Sequence, residues 1–282
     1  MSLDPHRLQF TLGHQLHSAY AARRRDATTS PADRIRLTAL TMPHARCILN
    51  ADLTDGRLSV NPTAYRFHMR FTEGRSPSAL LSLHAHAQCG LCNAPLGDDP
   101  WAHWFTCRKL RRLHCLRHKM LITAWHELCE MCGLYSLSES HLPNGSRSDN
   151  FFCLPTGPKY HTDTSVVHPG SFSYLHSQAQ FQPGYAASSR AQAKYRKYQQ
   201  VVESIQCRFR AVIFETYGGT SRDVDACLQD LHQAALWKCL RNPPSIDFMR
   251  QYLQKALIEG NGLIIGEGLK TIRFNERTAH PA

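Results

Sequence analysis

Residues 147–167, RSDNFFCLPTGPKYHTDTSVV, hold the pattern that decides the fold. Phe151–Leu154 is short, apolar and aromatic, which predicts a strand. Thr156-Gly157-Pro158 predicts a turn, because glycine and proline favour the backbone angles that turns need. Thr162–Val167 is rich in β-branched residues and ends before a His-Pro pair, so it predicts a second strand. The stretch therefore predicts a β-hairpin.

Two aspartates belong to this hairpin, Asp149 before its first strand and Asp163 within its second. A strand, a turn and a strand would bring them together. Two converging carboxylates can hold magnesium or manganese, which activates water beside a scissile phosphate. Lys194 and Lys197, one helical turn apart on a predicted helix, are candidates for orienting or deprotonating that water. On spacing alone, two solvated turn residues are the simpler interpretation.

The elements around the hairpin predict a mixed α/β core. In chain order the expected elements are a helix over Arg108–Met131, a polar loop over 136–148, the hairpin, a helix over Ala186–Gln206, a strand over Arg208–Thr216 and a helix over Ser221–Leu240. A further helix is expected over Ser245–Ile258. The glycines after it (Gly260, Gly262, Gly266 and Gly268) fit neither common nucleotide-binding spacing, and they predict a flexible, hairpin-like tail.

The chain divides into five expected regions. These are a mobile arm over 1–30, a helical supporting segment over 31–88, a compact Cys/His stretch over 89–107, the α/β core over 108–242, and a C-terminal helix and tail over 243–282.

Composition limits the class of protein. The chain has 282 residues, of which 42% are hydrophobic, and this excludes a wholly disordered chain. A net charge of +11 favours a polyanionic partner. No apolar run is long enough for a transmembrane helix, and no secretory signal is evident, so a membrane partner is not expected. The expected location is nuclear or cytoplasmic, with an organellar transit segment as the weaker alternative.

The eleven cysteines favour metal ligation and buried thiols over a disulfide framework, because their number is odd and no export signal is evident. Cys89, Cys92, His103 and Cys107 have the spacing Cys-x2-Cys-x10-His-x3-Cys, which predicts a structural zinc site. His114, Cys115 and His118 are alternates for His103. A second pair, Cys129 and Cys132, is interpreted as small core residues, with metal ligation as the alternative.

The segment after this predicted zinc site is strongly basic and contains no acidic residue. Its candidate nucleic-acid contacts are Arg108, Lys109, Arg111, Arg112, Arg117, His118 and Lys119. Such a density of cations on a helix is typical of a surface that follows a phosphate backbone. DNA is the expected partner and RNA the second choice. A merely solvated helix face is the alternative.

Four other side chains have two interpretations each. Glu215 could face the metal cleft, although a solvent-facing or paired carboxylate is favoured. His168 could be catalytic, although capping or packing is favoured. Trp101 and Trp104 could stack on a base, although packing in a core is favoured.

In order and spacing, several segments between about residues 33 and 265 resemble the C-terminal restriction-enzyme-like endonuclease region of non-LTR retrotransposon polyproteins. The matching segments are the zinc knuckle Cys89, Cys92, His103 and Cys107, the Arg117-His118-Lys119 segment, Asp149, Asp163 with its Val-containing strand, and the Lys194-x-x-Lys197-Tyr198 helix. The resemblance implies a restriction-endonuclease-like mixed sheet flanked by helices. It also implies metal-dependent nicking of target DNA, with Asp149 and Asp163 as metal ligands and Lys194, or secondly Lys197, as the catalytic lysine.

The sequence also departs from that family. Lys119 stands where the family usually has Asp, Ser148 replaces the Pro that usually precedes the first aspartate, and Asp163 is followed by Thr164 rather than leading to a lysine. No reverse transcriptase motif is present, so such an enzyme encoded elsewhere is an expected partner. The expected function is target-DNA nicking by a retrotransposon-derived protein. A non-catalytic nucleic-acid-binding remnant is the alternative, and a degenerate chain without function is a third interpretation.

Overall fold

The computed structural model describes residues 26–28, 30–52, 54–75, 87–96 and 99–274. Its helices are α1 (Pro31–Ala39), α2 (Pro62–Thr72), α3 (Pro100–Thr106), α4 (Arg111–Met131), α5 (Phe172–Leu175), α6 (Tyr185–Glu203), α7 (Arg222–Trp237) and α8 (Ile246–Lys270). Its strands are β1 (Ala87–Cys89), β2 (Ser136–His141), β3 (Arg147–Cys153), β4 (Lys159–Val167), β5 (Arg208–Glu215) and β6 (Ile272–Phe274). The expected mobile arm and the end of the chain lie almost entirely outside these residues.

A four-stranded mixed sheet forms the centre of the fold, in the order β2-β3-β4-β5. The first three strands are antiparallel, and β4 and β5 are parallel. The predicted hairpin is confirmed, since Phe152 pairs with Tyr160 across β3 and β4. The parallel pair requires a crossover connection, which α6 provides. The molecule is therefore mixed α/β, as the sequence predicted.

Helices cover both faces of this sheet. Val212 and Phe214 of β5 pack in one core with α4, α7 and α8, whereas Ala211 and Ile213 pack with α6 on the other side. The alternation follows from the pleat, which directs successive side chains to opposite faces. The apolar run of β5 thus predicts a strand that is covered on both sides.

The polar loop expected over 136–148 was wrong in its first half, because residues 136–141 form β2. Ser136 pairs with Phe152, and His141 pairs with Arg147. The segment Ser-Leu-Ser-Glu-Ser-His has weak strand propensity, and its pairing with β3 overrides that preference. Within the described sheet β2 is an edge strand, where exposed polar side chains are suitable.

The expected end of the last helix at Ile258 and the hairpin-like tail were also wrong. α8 continues to Lys270, so all four glycines are helical. A Cβ built on Gly262 would lie 2.5 Å from Ala64 Cβ, and one built on Gly268 would lie 2.6 Å from the Trp104 ring. Glycine is used here for close approach between packed elements, and burial of Ile264 and Ile265 stabilises the extension.

The long basic helix is confirmed, with a 3-10 turn over Arg108–Leu110 leading into α4. Gly133 follows its end in the left-handed conformation, at φ 68°. Cys129 and Cys132, the second cysteine pair, are both fully buried in the core of α4, α7 and α8. Their small side chains therefore pack in the core. None of the described helices combines the length and the apolar character needed to cross a membrane.

Candidate functional site

Two candidate sites lie at the N-terminal end of α4, and the first is the Cys/His cluster. The ligand atoms of its four members lie within 4.8 Å of one another, and the members are Cys89, Cys92, His103 and Cys107. Cys92 Sγ lies 3.3 Å from His103 Nε2 and 3.8 Å from Cys107 Sγ. The four residues are close enough to hold a metal ion.

Local structure brings these four residues together. Cys89 ends β1 and accepts a backbone hydrogen bond from Asn93, so Cys92 lies in a tight turn. The Asp99 carboxylate caps α3 by accepting from the backbone N–H of Trp101 and Ala102. His103 lies in the last turn of α3 and Cys107 follows the helix directly in extended conformation, so the end of α3 brings both residues to one point.

The donor set fits zinc. Two thiolates bound at about 2.3 Å to one tetrahedral ion would lie about 3.8 Å apart, which matches the Cys92–Cys107 separation. Burial raises the pKa of the Cys107 thiol to about 11. A bound cation would favour the thiolate, so metal binding at this cluster would release protons. His114 and His118, proposed as alternates for His103, line the cleft described next.

The second candidate site is a cleft of about 360 Å³ bounded by α4, β3, β4 and α6. Its polar walls include Arg117, His118, Asp149, Asp163, Arg190 and Lys194. Asn150 pairs with Thr162 between the antiparallel strands β3 and β4. Asp149 directly precedes Asn150 in β3, and Asp163 directly follows Thr162 in β4. Asp149 thus lies inside β3 rather than before it. The structure brings Asp149, Asp163 and Lys194 to one cleft.

Both carboxylates have partners within the cleft. The Lys194 ammonium forms an ion pair with Asp163, which is 4% exposed. Asp149 Oδ2 accepts a hydrogen bond of 2.6 Å from the Thr164 backbone N–H. Asp149 Oδ1 lies 3.3 Å from His118 Nε2. His118 therefore contacts one of the candidate metal ligands.

Lys197 does not line this cleft. Its ammonium donates a 2.7 Å hydrogen bond to the Tyr198 hydroxyl and lies 4.4 Å from the centre of that ring. The sequence left both lysines open as catalytic candidates. Geometry brings Lys194 to the aspartates.

The basic segment divides into two environments. Five of its side chains are exposed: Arg108, Lys109, Arg111, Arg112 and Lys119. His118 is half-buried in the cleft. Arg117 is only 5% exposed, and it donates a 2.7 Å hydrogen bond to Asn261 Oδ1. Arg117 therefore does not belong to the solvent-facing surface that the sequence predicted for it.

Arg190 was missed by the sequence reasoning. It lies four residues before Lys194 on α6, so the two side chains share a helix face, and both line the cleft. That spacing was the available signal. It carried no weight because the position of α6 against β4 cannot be derived from α6 alone.

Glu215 and His168 lie outside the cleft walls. The buried Glu215 carboxylate accepts a 3.1 Å hydrogen bond from the Ala187 backbone N–H, and burial raises its pKa to about 7. His168 Nδ1 lies 2.7 Å from Thr216 Oγ1, and its ring packs against Phe105. Packing was the favoured interpretation of His168, and its contacts agree with it. Glu215, expected to be solvent-facing or paired, is instead buried, and its second carboxylate oxygen has no hydrogen-bond partner among the described residues.

Trp101 and Trp104 are 5% and 0% exposed, as expected for core residues. They pack with Ile264 and Ile265 of α8 in a cluster that also includes Cys89 and Cys107. The metal cluster is thus joined to the C-terminal helix by apolar contacts. No protein-family model matches the sequence, and none of the curated proteins compared with it gives a match.

Proposed function

We propose that this protein is a magnesium- or manganese-dependent DNA endonuclease with a restriction-endonuclease-like fold, derived from a non-LTR retrotransposon. The observation that carries this proposal is that Asp149, Asp163 and Lys194 line one cleft. The sequence separates them by up to 45 positions, so a shared cleft is a property of the fold. A zinc ion at the Cys/His cluster is part of the same proposal.

The donor set of the cleft suits a hard cation, because two carboxylates supply oxygen ligands. A magnesium or manganese ion held by Asp149 and Asp163 would supply an activated water and stabilise charge on a phosphate. Lys194 would orient or deprotonate that water and hold Asp163 in place. His118 would hold Asp149 in place through its 3.3 Å contact.

The charge of the cleft favours a polyanionic substrate. Three basic side chains, Arg117, Arg190 and Lys194, line it together with the two carboxylates. The exposed arginines of α4 continue this surface. Arg111 lies two turns before His118 on the same helix face, so a phosphate backbone following α4 would lead into the cleft.

The proposed zinc site would fix the start of this surface. The cluster ends at Cys107, and the basic segment begins at the next residue. Apolar contacts of Trp104 with α8 hold the same region. Zinc would therefore orient the basic helix rather than take part in the chemistry.

The central test is nicking of supercoiled plasmid DNA by the purified chain in magnesium or manganese. We expect Asp163→Asn to lower nicking by at least about a hundredfold, because one of the two metal ligands is lost, while salt-sensitive DNA binding persists. Asp247→Asn, an exposed aspartate in the first turn of α8, is the matched control and should nick like the wild type. Nicking that continues undiminished in a chelator would contradict the proposal.

A non-catalytic nucleic-acid-binding module is the second candidate, and one observation favours it. Both carboxylates already have protein partners, as expected of a structural network. Wild-type protein that binds DNA but never nicks it, on supercoiled or bulged substrates with either ion, would select this function. RNA as a ligand, a reverse transcriptase encoded elsewhere as a partner, and a nuclear or cytoplasmic location belong to both candidates.

A further inference from the structure

Arg117 is a buried cation without an acidic partner among the described residues. Its guanidinium donates to the neutral amide oxygen of Asn261, and its Nε has no hydrogen-bond partner. Burial lowers its pKa to about 9, which still leaves it charged at neutral pH. A buried charge of this kind is costly unless an opposite charge compensates it.

The groups around Arg117 do not provide that compensation. Its guanidinium lies 5.6 Å from the centre of the Phe105 ring, a contact that is weaker than an ion pair. Burial and the charge of Arg117 lower the pKa of His114 and that of His168, which keeps both rings neutral. The backbone of Gly260 in α8 also packs closely against Arg117. Arg117 is therefore a closely packed, uncompensated charge among the residues that line the cleft.

The carboxylates of the cleft are engaged elsewhere. Asp163 pairs with Lys194, and Asp149 contacts Thr164 and His118. Arg190 lines the cleft from α6, is exposed, and forms no ion pair within the described part of the chain. Two guanidinium groups, one buried and one exposed, thus line one cleft without carboxylate partners.

We propose that Arg117 and Arg190 form a binding subsite for a phosphoryl group within the cleft. Guanidinium groups bind phosphate oxygens with paired, charge-assisted hydrogen bonds, and an anion at this position would compensate the buried charge. The inference deepens the proposed function and rests on it only for identifying that group as part of a DNA backbone. Arg117 thereby holds substrate inside the cleft instead of following DNA outside it.

The test measures the thermal unfolding midpoint of the full chain in low-millimolar inorganic phosphate against sodium chloride of equal ionic strength. At ten times its dissociation constant, phosphate should raise the wild-type midpoint by about 2–3 °C. Arg190→Gln should lose most of this rise. Arg196→Gln, an exposed arginine on α6 that faces away from Arg190, is the matched control and should retain it.

Arg117→Met keeps an unbranched side chain, shorter than that of arginine, and removes the guanidinium charge. It should unfold in chloride at or above the wild-type midpoint, because a buried uncompensated charge is gone, and should show no rise with phosphate. If this variant does not fold, the subsite is tested by comparing the phosphate-induced rise in midpoint of Arg190→Gln with that of Arg196→Gln. An equal phosphate rise in all variants would overturn the subsite. Asp163→Asn should keep the rise while losing nicking, so failure of the endonuclease proposal and failure of the subsite are distinguishable.

Discussion

Lys194 and Lys197 are one helical turn apart and both lie near the Tyr198 ring, yet their ammonium groups have different polar partners. The Lys194 ammonium contacts Asp163, whereas the Lys197 ammonium contacts the Tyr198 hydroxyl. An ammonium beside a candidate metal ligand can act on water or phosphate there. The Lys197 ammonium is instead held by the hydroxyl of the adjacent Tyr198, at 2.7 Å.

We therefore expect Lys194→Ala to lower DNA nicking by about 10²–10⁴-fold, the usual range for losing a group that transfers or positions a proton. Lys197→Ala is the matched control on the same helix and should stay within a few-fold of the wild type. Plasmid nicking under single-turnover conditions measures both. A larger loss in Lys197→Ala than in Lys194→Ala would refute the assignment.

His168 shows a second effect at this scale, on stability. It is buried among aromatic rings, and burial lowers its pKa to about 3. In the unfolded chain a histidine has a pKa near 6.5. Above about pH 6.5 the histidine is neutral in both the folded and the unfolded state, so its protonation does not lower the free energy of unfolding. Below that pH the unfolded state gains a proton that the folded state does not, so stability falls as the pH falls from about 6.5 towards 3.

Replacing this histidine should therefore reduce the sensitivity to acid. Between pH 7.5 and pH 5 the wild type should lose about 2 kcal/mol more unfolding free energy than His168→Gln loses, whatever their absolute stabilities. Urea unfolding at the two pH values measures the difference. His141→Gln, at an exposed histidine of β2, should behave like the wild type. Identical acid losses in all three proteins would show that His168 is not a neutral buried group.

At the scale of single elements, α8 has the largest structural role. It packs against α4, α2 and α3, and three of its glycines, Gly260, Gly262 and Gly268, occur where a neighbouring residue comes closest. At Gly262 the neighbour is Ala64 of α2, including its Cα at 2.8 Å from an added Cβ. At Gly266 the nearest atom would be 3.8 Å away, an ordinary contact distance.

These two glycines should respond in opposite directions to the same change. Gly262→Ala should lower the free energy of unfolding by about 1–3 kcal/mol, because the added methyl group separates α8 from α2. Gly266→Ala should raise it by up to about 1 kcal/mol, because alanine favours the helix and space is available. Chemical denaturation measures both. Destabilisation of equal size at the two sites would mean that close packing is not the reason for glycine at 262.

At the scale of the whole molecule, the Cys/His cluster connects separate parts of the chain. Two of its cysteines, Cys89 and Cys107, pack in one apolar cluster with Phe71 of α2, Tyr217 after β5 and Ile264 of α8. Phe71 stacks on Tyr217, with ring centres 4.3 Å apart. Loss of a metal at this position would therefore disturb contacts well beyond the knuckle.

We expect elemental analysis to find about one zinc ion per chain, and Cys92→Ser to lose it together with several kcal/mol of unfolding free energy. Cys115→Ser is the matched control, because Cys115 is exposed on α4 and outside the cluster. It should keep both zinc and stability. Metal-free protein that was purified under reducing conditions and is as stable as the metal-loaded form would rule out a structural zinc site.

What the sequence alone determined lies within short segments. The spacing of Cys89, Cys92, His103 and Cys107 indicated a metal cluster, because the first two residues lie close together in the sequence and so do the last two. The strand-forming and turn residues of 147–167 indicated the hairpin, and helical spacing indicated α4. In each of these cases, neighbouring residues supply most of the interactions that select the conformation.

Only the tertiary structure decided the remaining features, because each depends on contacts between residues far apart in sequence. Pairing with β3 makes the polar residues of β2 a strand, and packing against Ala64 and Trp104 keeps the glycines of α8 helical. Because Arg117 packs against Gly260 of α8, it lines the cleft and is not exposed on the surface of α4. The position of α6 over β4 brings Lys194, and not Lys197, to Asp163. Local spacing indicates which face of an element a residue occupies, whereas only packing determines what that face meets.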